Sequence, residues 1–211
     1  MLGILAGSMA FSVLNVRDGA TINTVRLANS SLTCLCFSPD GKMVVGGCFD
    51  GSTRVWDSRS GKLLGELIGH QSFVTSARII DDGRKVITSS QDATIRLWDL
   101  STFQQLNRFV QPGPVSSAIA NSTATRILST WDKELRGGGI DTAARKNVSL
   151  LNIQNGEEIH RYCYLRSNNY DLAVFSKTGD QVCLTFSKTS IWNASDGSFV
   201  RMTDGVRGFT S

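Results

Sequence analysis

The residue types that most often carry catalysis are scarce in this sequence. Two histidines are present, His70 and His160. A histidine can act as a general acid or base, or bind a metal ion, near neutral pH. Neither stands in an HExxH pattern, and no GxSxG or P-loop pattern accompanies them. We therefore predict no catalytic residue, no bound metal and no cofactor.

The cysteines offer a second kind of chemistry. Cys34 and Cys36 are separated by one residue, and such a pair could bind a metal or form a redox couple. No CxxC spacing or second ligand pair supports that interpretation, and the chain has 5 cysteines, an odd number. We interpret them as small buried residues of β-strands, whose free thiols suit a reducing compartment. The expected location is the cytoplasm or the nucleus.

Two further motifs could carry chemistry. Asp81 and Asp82 could act as paired acids, but Gly83 follows them, which favours a turn. The glycines at 137–139 could wrap a phosphate, but no Lys-Ser/Thr follows them. We therefore expect both motifs to be structural.

Charge and hydropathy indicate which classes of binding partner the sequence favours. The chain has 22 Lys and Arg against 18 Asp and Glu, a net charge of +4. This balance suits acidic partners but does not predict nucleic-acid binding. No apolar run approaches the ~18 residues of a transmembrane helix, so no membrane partner is expected. The apolar residues 1–16 lack a basic segment before them, and we interpret them as strands rather than a targeting signal.

The elements that must position these side chains repeat along the chain. Trp98 follows Trp56 by 42 residues, and Trp56 follows Leu14 by 42 residues. Farther on, Trp192 follows Leu151 by 41 residues, whereas Leu151 follows Trp98 by 53 residues. Short apolar runs separated by Gly, Asp and Pro turns fill each interval, as in antiparallel β-structure. The pattern predicts units of about 40–45 residues and one insertion.

Residues 69–99 carry the fullest version of the pattern. This stretch opens with Gly69-His70, closes with Trp98-Asp99, and places Asp92 in a turn before its last apolar run. These features resemble a WD repeat, the unit of a β-propeller. The resemblance implies an all-β propeller of about five blades, the first incomplete, within one domain spanning residues 1–211.

The repeat spacing divides the chain into expected units. These are residues 1–30 (incomplete), 31–68, 69–112, 113–162 and 163–204, with a tail at 205–211. Because the pattern starts and stops within a unit, we expect an open arc or a fragment of a larger propeller. An open arc would expose apolar faces and permit self-association. In the alternative, the tail supplies the missing strand of the first unit and closes a small ring.

The fourth unit contains the insertion. Ungapped alignment with the third unit places Trp131-Asp132 in the turn before the third strand. This pair is therefore not the Trp-Asp position of the repeat, which Leu151 occupies. The register resumes at Val148, so the insertion is expected at residues 134–147.

The insertion is basic and rich in small residues. Insertions in repeats emerge as loops on one face and often bind partners. We therefore consider Arg136, Arg145 and Lys146 as candidates for partner binding. A surface insertion without a binding role is the alternative.

The resemblance also implies a hydrogen-bond network buried within a repeat. The His of Gly-His, a Ser or Thr of the second strand, the turn Asp and the Trp can bond together, since each is costly to bury alone. The third unit alone supplies a full set, namely His70, Thr88 or Ser90, Asp92 and Trp98. We expect this unit to be the most rigid, with Asp92 buried and fixed rather than catalytic.

A second resemblance concerns the end of the third strand in the second unit. Trp56-Asp57-Ser58-Arg59 resembles the box of propellers that act as substrate receptors of cullin-RING ubiquitin ligases. The resemblance implies that Asp57 and Arg59 dock an adaptor protein. Alternatively, this short pattern arises by chance, as it does in many WD repeats.

The functional expectation rests on the repeat family. It implies a non-enzymatic scaffold that mediates protein–protein interactions in a multiprotein complex. One alternative is a regulatory or sensor repeat array of a signalling NTPase, and another is the cullin-RING substrate receptor. Other proteins are the expected partners in each case.

Overall fold

The chain folds almost entirely into antiparallel β-sheets. The computed structural model describes residues 2–132, 146–163, 172–185 and 189–203. Within these ranges there are 19 strands in five sheets and one 3₁₀ turn, Asp81–Gly83. The all-β prediction is therefore confirmed. Among the described residues, no helix has the length and apolar character that crossing a membrane requires.

The first three sheets follow one another along the chain, and neighbouring strands pair in sequence order. The first sheet has three strands, β1 (Leu2–Ala6), β2 (Ala10–Asn15) and β3 (Thr21–Arg26). The second has four, β4 (Leu32–Phe37), β5 (Met43–Cys48), β6 (Thr53–Asp57) and β7 (Leu63–Leu67). The third has β8 (Val74–Ile80), β9 (Lys85–Ser90), β10 (Thr94–Asp99) and β11 (Gln105–Val110).

The last two sheets have the same simple order. The fourth consists of β12 (Val115–Ala120), β13 (Arg126–Asp132), β14 (Lys146–Asn152) and β15 (Glu158–Cys163). The fifth consists of β16 (Leu172–Phe175), β17 (Gln181–Thr185), β18 (Thr189–Asn193) and β19 (Phe199–Thr203).

The chain divides into two compact units, residues 1–118 and 119–211. In the first unit, Trp98 packs with Val45, Val55, Leu67 and Val86 in one apolar core. A second core of this unit gathers around Phe11 and Trp56, whose rings meet edge to face at 5.0 Å. Val55 and Trp56 are neighbours on β6 but belong to different cores, so the second sheet is buried on both of its faces.

The second unit has its own core. Leu128, Val148, Leu150, Tyr162 and Leu184 pack together there, each almost inaccessible to solvent. Trp192 joins this cluster edge to face with Tyr162, their centroids 5.1 Å apart. The apolar residues of β13, β14 and β17 thus bury one face of each strand.

The same backbone irregularity recurs in every sheet. The register between the last two strands shifts just before the position that Trp56 and Trp98 occupy. The equivalent shifts precede Leu14, Leu151 and Trp192. Such bulges increase strand twist locally. The repeat spacing therefore corresponds to a repeated backbone geometry as well as to a repeated residue type.

The residue after each of these positions fixes the following turn. Asp57 Oδ1 accepts hydrogen bonds from the backbone N–H groups of Arg59 and Ser60. Asp99 Oδ1 does the same for Ser101 and Thr102. This is the Asx-turn arrangement, which sharply orients the chain between two strands. Asn152 and Asn193 accept equivalent bonds in the second unit, from the N–H groups of Gln154 and Ser195.

The two strands that flank the insertion are longer than the sequence indicates. Trp131 and Asp132, expected in a turn, lie in β13, opposite Asn147 and Lys146 of β14. Both strands therefore continue for two pairs beyond Val148, and two residues that the prediction assigned to the insertion, Lys146 and Asn147, lie in β14. The extension buries the indole of Trp131, which is 3% exposed. Arg136, Arg145 and the side chain of Lys146 lie outside the part of the chain that the structure describes.

Candidate functional site

A chain of hydrogen bonds crosses the third sheet. His70 precedes β8, Thr88 lies on β9, Asp92 lies in the β9–β10 turn and Trp98 lies on β10. Thr88 Oγ1 lies 2.9 Å from Trp98 Nε1 and 2.8 Å from His70 Nε2. His70 Nδ1 lies 2.9 Å from Asp92 Oδ2. The structure thus brings together four of the five residues considered for this network.

Charge favours one direction of donation along this chain. Burial lowers the pKa of His70, although the hydrogen bond to Asp92 opposes the shift. Burial opposes ionisation of Asp92, but hydrogen bonds from Thr94, the Gln71 amide and His70 outweigh it and lower its pKa to about 2. A neutral imidazole therefore donates from Nδ1 to an ionised carboxylate. Its Nε2 accepts from the Thr88 hydroxyl, which accepts in turn from the Trp98 indole.

Ser90 lies outside the network, and Thr94 lies inside it. Ser90 Oγ donates to the carbonyl of Ser72 at 3.0 Å and accepts from the amide of Asp92 at 3.1 Å. Thr94 Oγ1 lies 2.6 Å from Asp92 Oδ1 and 3.1 Å from His70 Nδ1. Sequence reasoning missed Thr94, although an Asp-x-Thr sequence in a turn allows the hydroxyl to reach back to the carboxylate.

The arrangement can hold strands together but is poorly suited to proton transfer with a substrate. Both ring nitrogens of His70 have partners, and both carboxylate oxygens of Asp92 accept hydrogen bonds. The side chains are 1% and 7% exposed, respectively. A general base must reach the proton that it abstracts. His70 and Asp92 are therefore structural residues in this geometry.

The second sheet has ion pairs where the third sheet has its hydrogen-bond network. Arg54 lies between Asp50 at 2.9 Å and Glu66 at 2.7 Å. The position of Thr88 is taken here by Gly46, where a Cβ atom would come within 2.8 Å of the Trp56 ring. Glycine therefore gives the indole the space that a hydroxyl partner occupies in the third sheet.

In the fourth sheet the indole lies on the second strand and its acceptor on the third, which is the reverse of the order in the third sheet. Trp131 on β13 donates from Nε1 to Ser149 Oγ on β14 at 3.0 Å. Ser149 Oγ donates in turn to Glu158 Oε2 at 2.8 Å, and Glu158 pairs with Arg161 at 2.9 Å. The Arg161 guanidinium lies over the Trp131 ring, 5.3 Å from its centroid. The indole is thus satisfied although it stands outside the repeated Trp position.

Asp57 and Arg59 border one open cleft of the first unit. The cleft has a volume of about 810 Å³ and lies between the β4–β5 and β6–β7 turns, with Phe37, Pro39 and Lys42 also in its wall. The Asp57 carboxylate is committed to its turn, which lowers its pKa. Arg59 follows it on the same turn and is exposed. Asp57 therefore fixes the turn that carries the exposed Arg59.

An aromatic pair, with Phe49 exposed and Phe73 partly buried, lies between the end of β5 and the beginning of β8. The rings of Phe49 and Phe73 stack with centroids 5.2 Å apart and planes inclined by 2°. Phe49 follows β5, and Phe73 precedes β8. Phe49 is 64% exposed, which is unusual for so large an apolar side chain. Sequence reasoning missed this pair because its members are 24 residues apart and belong to different turns.

The Cys34–Cys36 pair is partly buried, and the acidic pair lies in a turn. Cys34 and Cys36 are free, and burial raises their pKa values, that of Cys36 to about 11. Asp81 lies in the 3₁₀ turn, paired with Arg84 and Lys85 at 2.6 and 3.1 Å. Within the described residues, no group of three or more His, Cys, Asp or Glu side chains is arranged to hold a metal.

Comparison with known families matches the repeat pattern. The family model described as "WD domain, G-beta repeat" matches residues 19–57 and 61–99. These matches contain the second-sheet ion pairs and the whole of the third-sheet network.

Three curated relatives illustrate the range of similar proteins. The chain is 32% identical over 127 residues to Autophagy-related protein 16 of Arabidopsis thaliana, covering 60% of this chain and 24% of that protein. It is 34% identical over 101 residues to WD repeat domain-containing protein 83 of Rattus norvegicus, covering 46% and 31%. It is 27% identical over 142 residues to Eukaryotic translation initiation factor 3 subunit I of Anopheles gambiae, covering 67% and 40%. Each alignment spans less than half of the relative's length.

Proposed function

Because the chain belongs to the WD-repeat family, we propose that it is a non-enzymatic scaffold on which other proteins assemble into a complex. Rigid sheets that present fixed turns suit this role, since binding residues concentrate on loops held by a stable framework. The Asx turns at Asp57 and Asp99 provide such loops in the first unit. The name of one relative, a translation initiation factor subunit, is that of a component of a larger assembly.

The stacking of the exposed Phe49 ring on the partly buried Phe73 ring is the observation that carries this proposal. Aromatic side chains are enriched at protein interfaces because they bury a large apolar area with few rotatable bonds. Exposure of the apolar Phe49 ring to water is unfavourable, so burying the ring against an apolar partner lowers the free energy. The stacking on Phe73 holds the ring in place, so that little side-chain entropy is lost on binding.

Affinity purification with quantitative mass spectrometry tests the scaffold role. We expect the tagged chain to capture a reproducible set of proteins, and Phe49→Ala to reduce the recovery of at least one of them about tenfold. Leu106→Ala is the matched control, because Leu106 is also exposed (50%) but lies on the outer strand β11. Equal recovery by the two variants would contradict a role for the aromatic pair. A chain that captures nothing reproducibly would contradict the scaffold function.

Arg59 supports a second candidate function, that of a substrate receptor of a cullin-RING ubiquitin ligase. The side chain is exposed on a turn that Asp57 fixes, beside an open cleft. We expect Arg59→Ala to abolish co-purification of a cullin adaptor while leaving the melting temperature unchanged. Co-purification of the adaptor at the wild-type level would remove this candidate. The sensor array of a signalling NTPase stays a prediction from the repeat pattern.

The proposed location is the cytoplasm or the nucleus. The free thiols of Cys34, Cys36 and Cys48 support a reducing compartment, because disulfides form readily in oxidising ones. Other proteins are the proposed partners, and neither a membrane nor a nucleic acid is among them. Imaging of the tagged chain in cells tests this location, and secretion would contradict it.

A further inference from the structure

Two arginines face each other across the last two strands of the third sheet. Arg96 on β10 and Arg108 on β11 occupy directly opposed positions in the antiparallel register. Like charges at opposed positions destabilise a sheet. Burial lowers the pKa of Arg96, the negative charge of Asp92 opposes this shift, and the positive charge of Arg108 adds to it. The pair therefore has an energetic cost that the fold itself does not require.

The second sheet has opposite charges at the same two positions. Arg54 and Glu66 are opposed across β6 and β7, 42 residues before Arg96 and Arg108 respectively. They form an ion pair of 2.7 Å. At the outer-strand position, the third sheet thus has a cation where the second has a carboxylate.

The second carboxylate partner of Arg54 is also lost to Arg96. Asp50 pairs with Arg54 at 2.9 Å. Its equivalent, Asp92, instead directs Oδ2 to His70 Nδ1 and the Gln71 amide, and Oδ1 to Thr94. The polar network of the third sheet therefore diverts from Arg96 the carboxylate that its position would supply.

The two guanidinium groups differ in exposure and in their hydrogen-bond partners. Arg96 Nη1 donates to Gln105 Oε1 at 2.6 Å, while its Nε is inaccessible and has no partner among the described residues. Arg108 is exposed, and no ion pair within the described ranges neutralises it. Gly69 leaves room for the Arg96 guanidinium, which a Cβ atom there would meet. The site thus combines the partly buried guanidinium of Arg96, held by Gln105, with the exposed guanidinium of Arg108.

We propose that Arg96 and Arg108 form a binding site for the phosphoryl group of a phosphorylated side chain on a partner protein. Planar guanidinium groups bind phosphate oxygens through paired, charge-assisted hydrogen bonds. A phosphoryl dianion matches the two positive charges, whereas a single carboxylate matches one. The ligand replaces the carboxylates that Glu66 and Asp50 provide in the second sheet. The inference rests on the proposed scaffold function for the identification of the ligand as a protein.

Fluorescence polarisation with the full chain tests the site directly. The probes are three labelled pentapeptides of glycine with a central phosphoserine, glutamate or serine. We expect the phosphoserine peptide to bind most tightly. Arg108→Glu weakens that binding at least about tenfold, since it removes one charged hydrogen-bonding partner and adds a repelling carboxylate. Arg17→Glu, which makes the same charge change on an exposed turn of the first sheet, leaves it within twofold.

The stability of the same variant separates binding from folding. Arg108→Glu recreates the opposed Arg–Glu pair of the second sheet, so its melting temperature rises by about 2 °C. Absence of saturable phosphoserine binding, equal binding of the three peptides, or equal effects of Arg108→Glu and Arg17→Glu would overturn the proposal. A lower melting temperature of Arg108→Glu would overturn the argument from like charges. If the peptides fail while Phe49 still supports partner capture, the phosphate site is wrong and the scaffold function stands.

Discussion

Asp92 Oδ2 accepts a hydrogen bond from His70 Nδ1 over 2.9 Å, and neither side chain is appreciably exposed. A histidine beside a carboxylate has the composition of a catalytic pair. Here the other ring nitrogen contacts Thr88, and the other carboxylate oxygen contacts Thr94. The pair joins the segment before β8 to the β9–β10 turn, so its removal is expected to affect stability.

We predict that Asp92→Ala lowers the free energy of unfolding by about 2–3 kcal/mol, because His70 Nδ1 and the Gln71 amide lose their acceptor. Chemical denaturation measures the change. The equivalent substitution in the second sheet, Asp50→Ala, is expected to cost less than half as much, since Asp50 is more exposed and Arg54 keeps Glu66. A stability of Asp92→Ala within a few tenths of a kcal/mol of wild type would show that the network is dispensable.

Thr88 and Ser90 give a test of which hydroxyl serves the network. Thr88→Val keeps the shape but leaves Trp98 Nε1 and His70 Nε2 unpaired, and is expected to cost about 2–3 kcal/mol. Thr88→Ser retains the hydroxyl and should cost about 1 kcal/mol for the lost methyl group. Ser90→Ala should also cost about 1 kcal/mol, because it removes bonds to Ser72 and Asp92 only. A larger loss from Ser90→Ala than from Thr88→Val would reverse the assignment.

The lowered pKa of His70 predicts a pH-dependent stability. The unfolded chain binds a proton at this histidine before the folded chain does, so the free energy of unfolding falls as the pH drops below about 6.5. Urea midpoints at pH 7.0, 5.5 and 4.5 measure the decline. His70→Gln should be less stable at pH 7.0 but flatter over this range. Parallel curves for the two proteins would exclude His70 as the cause.

Asp92 extends the same trend to lower pH. Its folded-state pKa of about 2 lies below the ordinary value of 3.8, so ionised Asp92 contributes stability above about pH 4. That contribution, of the order of 1–2 kcal/mol, is lost as the pH falls toward 2. Asp92→Asn should show a shallower loss than wild type between pH 4 and pH 2. An identical slope would place the acid sensitivity in other carboxylates.

Phe103 and Gly65 illustrate how one sheet packs on the next. The Phe103 ring lies where a side chain at position 65 would stand, 2.7 Å from an ideal Cβ atom. Phe103 adopts a left-handed φ of 57°, which glycine adopts without strain at the equivalent position 61. Between the first and second sheets the small and large side chains are exchanged, because Gly61 of the second sheet leaves room for Asn23 of the first. Gly197 likewise leaves room for His160 in the second unit.

This reciprocal packing predicts a non-additive pair of substitutions. Gly65→Asn alone should cost about 2 kcal/mol, because it clashes with Phe103. Phe103→Gly alone empties that space but relieves backbone strain of about 1 kcal/mol. The double variant recreates the Asn23–Gly61 arrangement, and we expect a favourable coupling of about 1–2 kcal/mol in a double-mutant cycle. Additive losses would show that the two side chains are independent.

Local patterns predicted the strands because period-two alternation and turn residues act over a few positions. The outer strand at Gln105–Val110 and the strand at Leu32–Phe37 match the apolar runs of the sequence. The pattern failed at Trp131, where alignment assumed that β13 ends as β9 does. The structure instead extends β13 and β14 together, because burial of the indole and its bond to Ser149 favour two more pairs.

The candidate site was less accessible to sequence reasoning. The choice between Thr88 and Ser90 depends on how closely the loop carrying His70 approaches β9, which residue types do not specify. The Phe49–Phe73 stack and the Arg96–Arg108 opposition depend on tertiary placement and on strand register. The 42-residue repeat spacing aligns Glu66 with Arg108, and this reversal of charge is visible in the sequence.

The dissociation constant of the chain for a captured partner protein tests the central claim most directly. It should be measured for wild type, Phe49→Ala and Leu106→Ala by titration with the purified partner. We predict at least tenfold weaker binding for Phe49→Ala and a change within twofold for Leu106→Ala, with equal melting temperatures for all three proteins. Equal dissociation constants for the three proteins would contradict the account of this surface as the place where the scaffold binds.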